Sequence, residues 1–242
     1  MKRTVFFLFL TAIFIADDVC GQIHAGKISY ERKTNLYKKF KDEDWDFKTY
    51  IKERDKIKVD SFELFFNDSL SAFIPIESEL KENFSWTTSK NKVYQDFSRG
   101  SRHTVKNIWG EEVHLEDTLY KRQWKITDSK RTICGYICRK AVWQVNDSTR
   151  IYAWFCAEII SPVGPESFYG LPGAILGLAT EDGGVIYFAK TVEVKRPDDA
   201  ALNLPKSKKK IYSPAELKEY LQREFGDEKW GKTMIKNVFG YW

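Results

Sequence analysis

Apolar and polar residues alternate in short runs along the first half of the chain, a pattern that predicts β-strands. Lys27–Glu31, Lys56–Asp60 and Phe62–Phe66 alternate with a period of two, as strands with one buried face do. The turn residues Asn67–Ser69 follow, and Leu70–Phe73 resumes the apolar pattern, which predicts a hairpin. Further strands are predicted at Lys92–Phe97, Val113–Glu116 and Trp124–Ile126.

The second half carries the strongest strand signals and the first convincing helix. Ile133–Val145 and Thr149–Ala157 are long β runs, and Ala174–Thr180 and Val185–Val194 flank an Asp-Gly turn that is typical of a hairpin. Because these strands all precede a helix predicted at 214–225, we expect a mainly β fold. The pattern favours a curved antiparallel sheet or open half-barrel with a C-terminal helix packed on it.

The C-terminal helix has a clear start signal. Ser213 suits the cap, Pro214 the first helical position, and Glu216 completes a capping box. The composition changes at Arg196, after which the chain becomes basic. We therefore expect residues 22–196 to form the β domain, and residues 197–242 to form a basic linker, the helix and a tail.

The start of the chain is typical of a secretory signal peptide. Two basic residues precede the apolar stretch Val5–Ala16, which is too short to span a bilayer. Cleavage after Gly21 is expected, so residues 1–21 form the predicted leader and the protein is predicted to be exported, to the periplasm or beyond. The flank of Cys20 lacks the small residue that lipidation requires, which argues against a lipid anchor. No other stretch reaches the ~18 apolar residues of a membrane-spanning helix.

The amino-acid composition limits the kinds of partner that we expect the protein to bind. The chain of 242 residues is 43% hydrophobic and 15% aromatic, which suits a β core. The net charge of +5 is modest and the charges are mixed, so a solvated surface explains them. Together with the predicted export, this argues against a nucleic-acid partner.

The stretch 164–178, GPESFYGLPGAILGL, concentrates glycine and proline and predicts a sharply bent loop that leads into a buried strand. We identify no catalytic side chain in it. The residues that define this GLPG loop are Gly164, Pro165, Gly170, Leu171, Pro172 and Gly173.

This loop resembles the signature of the GLPGLI family, exported proteins widespread in the Bacteroidota. The resemblance extends upstream through Trp124–Asp128, Lys130, Gly135-Tyr136, Cys138, Lys140-Ala141 and Ala153-Trp154. The family has no established biochemical function, so the resemblance implies an exported location and little chemistry.

A three-residue loop at Asn146–Ser148 would place Cys138 directly opposite Cys156, within the Cα range of a disulfide. In an oxidising compartment we expect this bridge to form, with Cys134 unpaired. The alternative is three buried thiols that behave as small apolar side chains.

The same register sorts the hairpin into two faces. The predicted core face comprises Ile133, Ile137, Ala141, Trp143, Ile151, Ala153, Phe155 and Ala157. The other face combines aromatic and charged residues and is a candidate ligand groove: Tyr136, Lys140, Arg150, Tyr152, Trp154 and Glu158. A cation–π contact is expected between Lys140 and Trp154. The alternative is a solvent face decorated with cross-strand pairs.

Motifs of known chemistry are missing from the sequence. The histidines are scattered, and no metal-binding spacing, nucleophile elbow, P-loop or dinucleotide fingerprint occurs. We therefore predict no catalytic residue, metal or cofactor, and leave enzymatic activity open. The favoured function is an exported binding or carrier protein for a small apolar ligand. The alternative is an interaction partner of an outer-membrane complex that uses the GLPG loop as its contact surface.

Overall fold

The computed structural model describes residues 21–41, 47–77 and 84–240, so residues 1–20 of the predicted leader, Cys20 included, lie outside the described residues. Within these ranges twelve strands form one sheet. They are β1 (Gly26–Asn35), β2 (Ile57–Phe66), β3 (Leu70–Pro75), β4 (Lys92–Asp96), β5 (Ser101–Ile108), β6 (Glu111–Thr118), β7 (Trp124–Ile133), β8 (Tyr136–Asn146), β9 (Thr149–Cys156), β10 (Ala174–Thr180), β11 (Val185–Glu193) and β12 (Ile211–Tyr212).

The sheet consists of two antiparallel meanders that meet in its middle. β1 to β6 run from the centre to one side, and β7 to β11 run from the opposite edge back to the centre, where β11 pairs with β1. The short strand β12 pairs in parallel with β6. The sheet is open, with β12 and β7 at its edges. The predicted mainly β, open antiparallel fold is confirmed.

Five short or medium helices accompany the sheet in the described part of the chain: α1 (Leu36–Lys39), α2 (Phe47–Tyr50), α3 (Asp199–Leu202), α4 (Pro214–Phe225) and α5 (Lys229–Val238). α4 has the predicted bounds, and its capping box forms, with Ser213 N donating to Glu216 Oε2 over 2.8 Å. None of the described helices combines the length and apolarity needed to cross a membrane.

One face of the sheet, here called the inner face, holds the main core. Tyr30, Phe62 and Tyr187 are fully buried on it, and Tyr30 Oη donates to the carbonyl oxygen of Ile175 over 2.7 Å. α4 packs on the same face at β6, where Leu115 forms a small core with residues of α4 and α5. The C-terminal helices therefore cover one end of the inner face.

The hairpin of β8 and β9 has the predicted register but differs at its ends. Cys138 lies opposite Cys156 and Lys140 opposite Trp154. The run Ile133–Val145 is not one strand, because Cys134 and Gly135, with φ of 52° and 85°, form a tight turn between β7 and β8.

Two residues of the predicted core face are exposed. Ile137, next to that turn, is 61% exposed, and Ala157 lies beyond the end of β9. The alternating pattern therefore extends the core face too far at these two positions.

Candidate functional site

The GLPG loop crosses the inner face and is largely buried. Gly164, Pro165, Leu171 and Gly173 lie in the interior, and Gly170 and Pro172 are exposed. Phe168, which lies between Pro165 and Gly170 in the sequence, is fully buried in the main core. The loop therefore fills the sheet's inner face and offers little of its own surface to solvent.

Two glycines allow this close packing. A Cβ at Gly173 would lie 2.0 Å from the carbonyl oxygen of Cys156, and φ at Gly173 is 141°. A Cβ at Gly164 would lie 2.7 Å from a backbone oxygen of the loop itself. Ile175 N donates to the carbonyl oxygen of Val163 over 2.8 Å, which joins the two ends of the loop. A side chain at Gly164 or Gly173 would push the loop off the sheet.

The loop carries Glu166 into a buried charge cluster. Its carboxylate accepts a hydrogen bond from Tyr187 Oη at 2.7 Å and lies 3.6 Å from Arg32 Nη1. Glu166 has a left-handed backbone, with φ of 55°, a conformation that costs free energy for any residue other than glycine. Burial raises the pKa of Glu166, although Arg32 and the Tyr187 hydrogen bond oppose this.

Asp60 holds the other side of the same guanidinium. Arg32 Nη2 and Nε donate to Asp60 Oδ2 over 2.7 and 3.2 Å, and both side chains are almost fully buried. The guanidinium also lies 4.8 Å from the centre of the Phe62 ring. Burial lowers the pKa of Arg32, but Tyr187, Glu166 and Asp60 outweigh this effect and the pKa is raised. Arg32 is therefore a permanent buried cation between two carboxylates.

A cavity of about 370 Å³ opens beside Glu166, between the inner face and the C-terminal helices. Three cationic side chains line this basic cavity: Arg102, Lys106 and Arg122. Its apolar wall comes from the sheet and from the end of α5, through Val93, Leu115, Val238 and Phe239. The cavity thus combines a basic side with an apolar side.

Lys106 differs from the two arginines that line the basic cavity. It forms no hydrogen bond or ion pair with any residue that the structure describes. Burial lowers its pKa, and Arg102 adds to this, while Glu166 opposes it. A partly desolvated ammonium that lacks a partner among the described residues is stabilised when an anion enters the cavity.

The two arginines of the basic cavity are held in place by the protein. Arg102 Nη2 donates to Asp117 Oδ2 over 2.9 Å, while its buried Nε has no hydrogen-bond partner in the described part of the chain. Arg122 Nη1 donates to the carbonyl oxygen of Ser167 over 2.8 Å, and its guanidinium lies 4.2 Å from the centre of the Phe168 ring. Arg122 therefore fixes the GLPG loop, and Arg102 keeps a donor for a ligand.

The strand register pairs Lys140 with Trp154, and none of the six predicted groove residues lines the basic cavity. The Lys140 ammonium lies 3.8 Å from the centre of the Tyr152 ring rather than over Trp154. The Trp154 ring is covered instead by Arg131, whose guanidinium lies 5.0 Å from the ring centre. Arg150 pairs with Glu181 at 3.0 Å. Tyr136 and Glu158, the other two groove residues, are partly buried.

The expected disulfide does not form. Cys134, Cys138 and Cys156 are free thiols, the last two fully buried. Direct opposition satisfies the Cα criterion, but a bridge also needs the side chains to point at each other. Here Cys138 Sγ faces the carbonyl oxygen of Tyr136 at 3.7 Å. Burial raises the pKa of Cys138 to about 12, which suppresses its thiolate.

Two of the histidines form a pair rather than a metal site. His103 Nε2 lies 3.0 Å from His114 Nδ1, and both side chains are buried on the face opposite the basic cavity. Burial and His114 lower the pKa of His103. No cluster of three or more potential metal ligands occurs among the residues the structure covers.

Sequence reasoning missed the residues of the buried charge cluster and the basic cavity. A signal existed, because Arg32 follows Ile28 and Tyr30 at the spacing of one strand face, and Asp60 precedes Phe62 at the same spacing. A charged residue at an inward position of a strand must be paired or face a cavity. Glu166 lies within the GLPG loop, but only tertiary contacts show where its carboxylate points.

A model of a family described as proteins of unknown function (Porph_ging) matches residues 143–177. The matched stretch runs from the end of β8 through β9 and the GLPG loop into β10. It covers a small part of the chain and supplies no activity. No curated protein matches the sequence.

Solved structures show that the fold occurs elsewhere. The structure of PNGF-II in a C2 space group matches 88% of this chain and 32% of its own, with 19% identity and a TM-score of 0.53. PNGF-II in a P21 space group matches 78% of this chain and 31% of its own, with 18% identity and a TM-score of 0.50.

An uncharacterized conserved protein from Thermus thermophilus matches 77% of this chain and 90% of its own, with 5% identity and a TM-score of 0.41. This chain spans about a third of PNGF-II, at 32%. The likeness to PNGF-II concerns the fold alone.

Proposed function

We propose that this protein is a non-enzymatic binding protein that holds a small ligand with an anionic group and an apolar body in the basic cavity. The observation that carries the proposal is the partly buried ammonium of Lys106, which lines the cavity and forms no hydrogen bond or ion pair with the described residues. Arg102 Nε supplies a second unused donor. The apolar wall at Leu115 and Phe239 suits the body of such a ligand.

Two carboxylates, Asp117 and Glu166, also line the cavity, but they do not satisfy these donors. Glu166 is engaged by Arg32 and Tyr187, and Asp117 is paired with Arg102 through another nitrogen. An incoming carboxylate, sulfonate or phosphate would gain charge-assisted hydrogen bonds without displacing either pair. We therefore propose an amphipathic anion in place of the small apolar ligand that the sequence suggests.

We extend the proposal to location and family. The leader-like residues 1–21 support export, and the GLPG loop supports membership of the GLPGLI family. An interaction with an outer-membrane complex is the second candidate. Of the six residues that define the GLPG loop, only Gly170 and Pro172 are exposed, so the loop offers a partner little surface.

Titration with 8-anilinonaphthalene-1-sulfonate tests the proposal, since this probe joins a sulfonate to an apolar aromatic body. We expect saturable binding that weakens about tenfold or more in Lys106→Gln, because one charge-assisted hydrogen bond is worth about 1.5–3 kcal/mol. The control is Lys190→Gln, whose side chain is 60% exposed. Equal affinities in all three proteins would refute the proposal.

A further inference from the structure

A second cavity of about 730 Å³ borders the first and is lined by three tryptophans. This tryptophan cleft, named for Trp86, Trp109 and Trp230, shares Asn91, Lys106 and Val238 with the basic cavity. Trp86 lies in a single 3-10 turn, Trp109 in the turn between β5 and β6, and Trp230 on α5. Three separate elements thus bring indole rings to one opening.

The three indoles are unusually exposed. Trp86 is 64%, Trp109 59% and Trp230 52% exposed. Large aromatic side chains normally gain free energy by burial, and their exposure around one concave site is typical of a binding surface. Scattered exposed aromatics would need no explanation, but these share a cleft.

Trp109 is held in a strained position. Its φ is 53° and that of Gly110 is 87°, a two-residue turn that usually has asparagine or glycine at the first position. The ring packs edge-on against Phe225 at 4.8 Å and Trp230 at 5.4 Å between centres. A bulky residue at positive φ costs free energy, and such strain clusters at ligand sites.

Hydroxyl and amide groups are among the side chains that line the cleft. Thr88 is 7% exposed, and its buried Oγ1 has no hydrogen-bond partner among the described residues. The other hydroxyl and amide side chains are Ser85, Ser89, Asn91, Asn107, Thr233 and Asn237. Such groups both donate and accept hydrogen bonds, as a ligand rich in hydroxyls requires.

Two of the three lysines that line the cleft are already paired with carboxylates, and the third, Lys106, is shared with the basic cavity. Lys92 Nζ lies 3.1 Å from Glu112 Oε1, and Lys90 Nζ lies 3.9 Å from Asp60 Oδ1. Pairing weakens attraction for a polyanion, and the hydroxyl and amide lining disfavours a purely apolar ligand. The class of ligand that best fits this lining is neutral, with apolar ring faces and hydroxyl groups along its edge.

We propose that the tryptophan cleft binds a neutral oligosaccharide, with the apolar faces of sugar rings stacked on the indoles. Thr88 and the amides would hydrogen-bond the sugar hydroxyls. This inference goes beyond the proposed function. It rests on the three indoles and on Thr88, none of which lines the basic cavity, so each proposal can fail alone. Arg102→Gln should weaken sulfonate binding but not saccharide binding, and Trp230→Ala should do the reverse.

Isothermal titration calorimetry with cellohexaose, mannohexaose and chitohexaose tests the inference. We expect at least one hexasaccharide to bind with a Kd of about 1 mM or tighter. Ribonuclease B and its unglycosylated form, ribonuclease A, distinguish a glycan on a protein from a free saccharide. Binding of ribonuclease B alone would identify a protein-linked glycan. Equal binding of both ribonucleases, or no binding of any probe below ~10 mM, would overturn the inference.

Substitutions of the three tryptophans test whether saccharides bind in the cleft. Trp86→Ala and Trp230→Ala should each weaken binding about tenfold or more, as loss of a central aromatic anchor does. Trp109→Phe keeps an aromatic ring against Phe225 and should weaken binding less than Trp109→Ala. Ile137→Ala, on the exposed part of β8, is the control and should bind as wild type. Wild-type affinity in both Trp86→Ala and Trp230→Ala would refute the assignment.

Discussion

The carboxylate of Glu166 lies 3.6 Å from the guanidinium of Arg32, although 134 residues separate them in the chain. One belongs to the GLPG loop and the other to β1, the strand at the centre of the sheet. Tyr187 bonds to both, with Arg32 Nη1 donating to Tyr187 Oη at 3.3 Å. The loop is therefore locked to the junction of the two meanders by charge as well as by packing.

Removing this carboxylate should destabilise the protein. Glu166→Ala is expected to cost about 3 kcal/mol in the free energy of unfolding, because Arg32 and Tyr187 lose a buried partner. Glu166→Gln should cost less, since its amide oxygen can still accept from Tyr187. Urea unfolding measures both. Glu181→Ala, which breaks an exposed pair with Arg150, should cost under about 1 kcal/mol. A Glu166→Ala cost as small as that of the control would contradict a locking role for this carboxylate.

Two glycines of the loop should respond differently to alanine. At Gly173 the new Cβ meets the Cys156 carbonyl oxygen at 2.0 Å, so Gly173→Ala should cost more than about 4 kcal/mol or abolish folding. At Gly170 no atom lies within 4 Å, so only the φ of 92° is penalised, by about 1–2 kcal/mol. The midpoints of urea unfolding compare the two. A milder effect at Gly173 than at Gly170 would show that the loop does not pack as described.

The three described cysteines should differ in reactivity. Burial raises the pKa of all three thiols, but Cys134 is exposed, whereas Cys138 and Cys156 are buried. N-ethylmaleimide at pH 8 should therefore modify Cys134 in the folded protein, and the other two after denaturation. Peptide mapping by mass spectrometry identifies the modified sites. Recovery of a peptide pair linked through Cys138 and Cys156 would contradict the free-thiol structure.

Anion binding should depend on pH through Lys106. Its folded-state pKa lies below the ordinary lysine value of 10.5, because burial disfavours the ammonium. Lys106 is charged below that lowered pKa, so sulfonate affinity should be full near neutral pH and fall as the pH rises toward 10. The arginines remain charged over this range. Fluorescence titrations between pH 7 and 10 measure the effect, and Lys106→Gln should remove it. A pH dependence that persists unchanged in Lys106→Gln would assign the titration to another group.

The sequence predicts the sheet well and the site poorly, for physical reasons. Alternation depends on burial of one strand face, so β1, β2 and the hairpin register of Cys138 with Cys156 follow from it. β5 is missed because its inward positions carry Arg102, Thr104 and Lys106, which face the cavity and erase the apolar alternation. The same polar residues that hide the strand create the site.

The candidate groove shows a second limit of prediction from the sequence. The register correctly places Lys140 beside Trp154, but local spacing does not reveal what covers a face. Arg131 comes from the neighbouring strand β7 and lies over Trp154, so the face is occupied. Cavities arise from contacts between distant segments, and here the GLPG loop and the C-terminal helices form them.

Native mass spectrometry of the protein, purified gently from its own host, tests ligand binding in the basic cavity without a chosen probe. We predict a bound small anion in the wild type, and its loss in the Lys106→Gln variant purified in parallel. A Lys190→Gln control should retain it. A wild-type mass without any bound molecule, or a bound molecule retained equally by Lys106→Gln, would contradict ligand binding at this site.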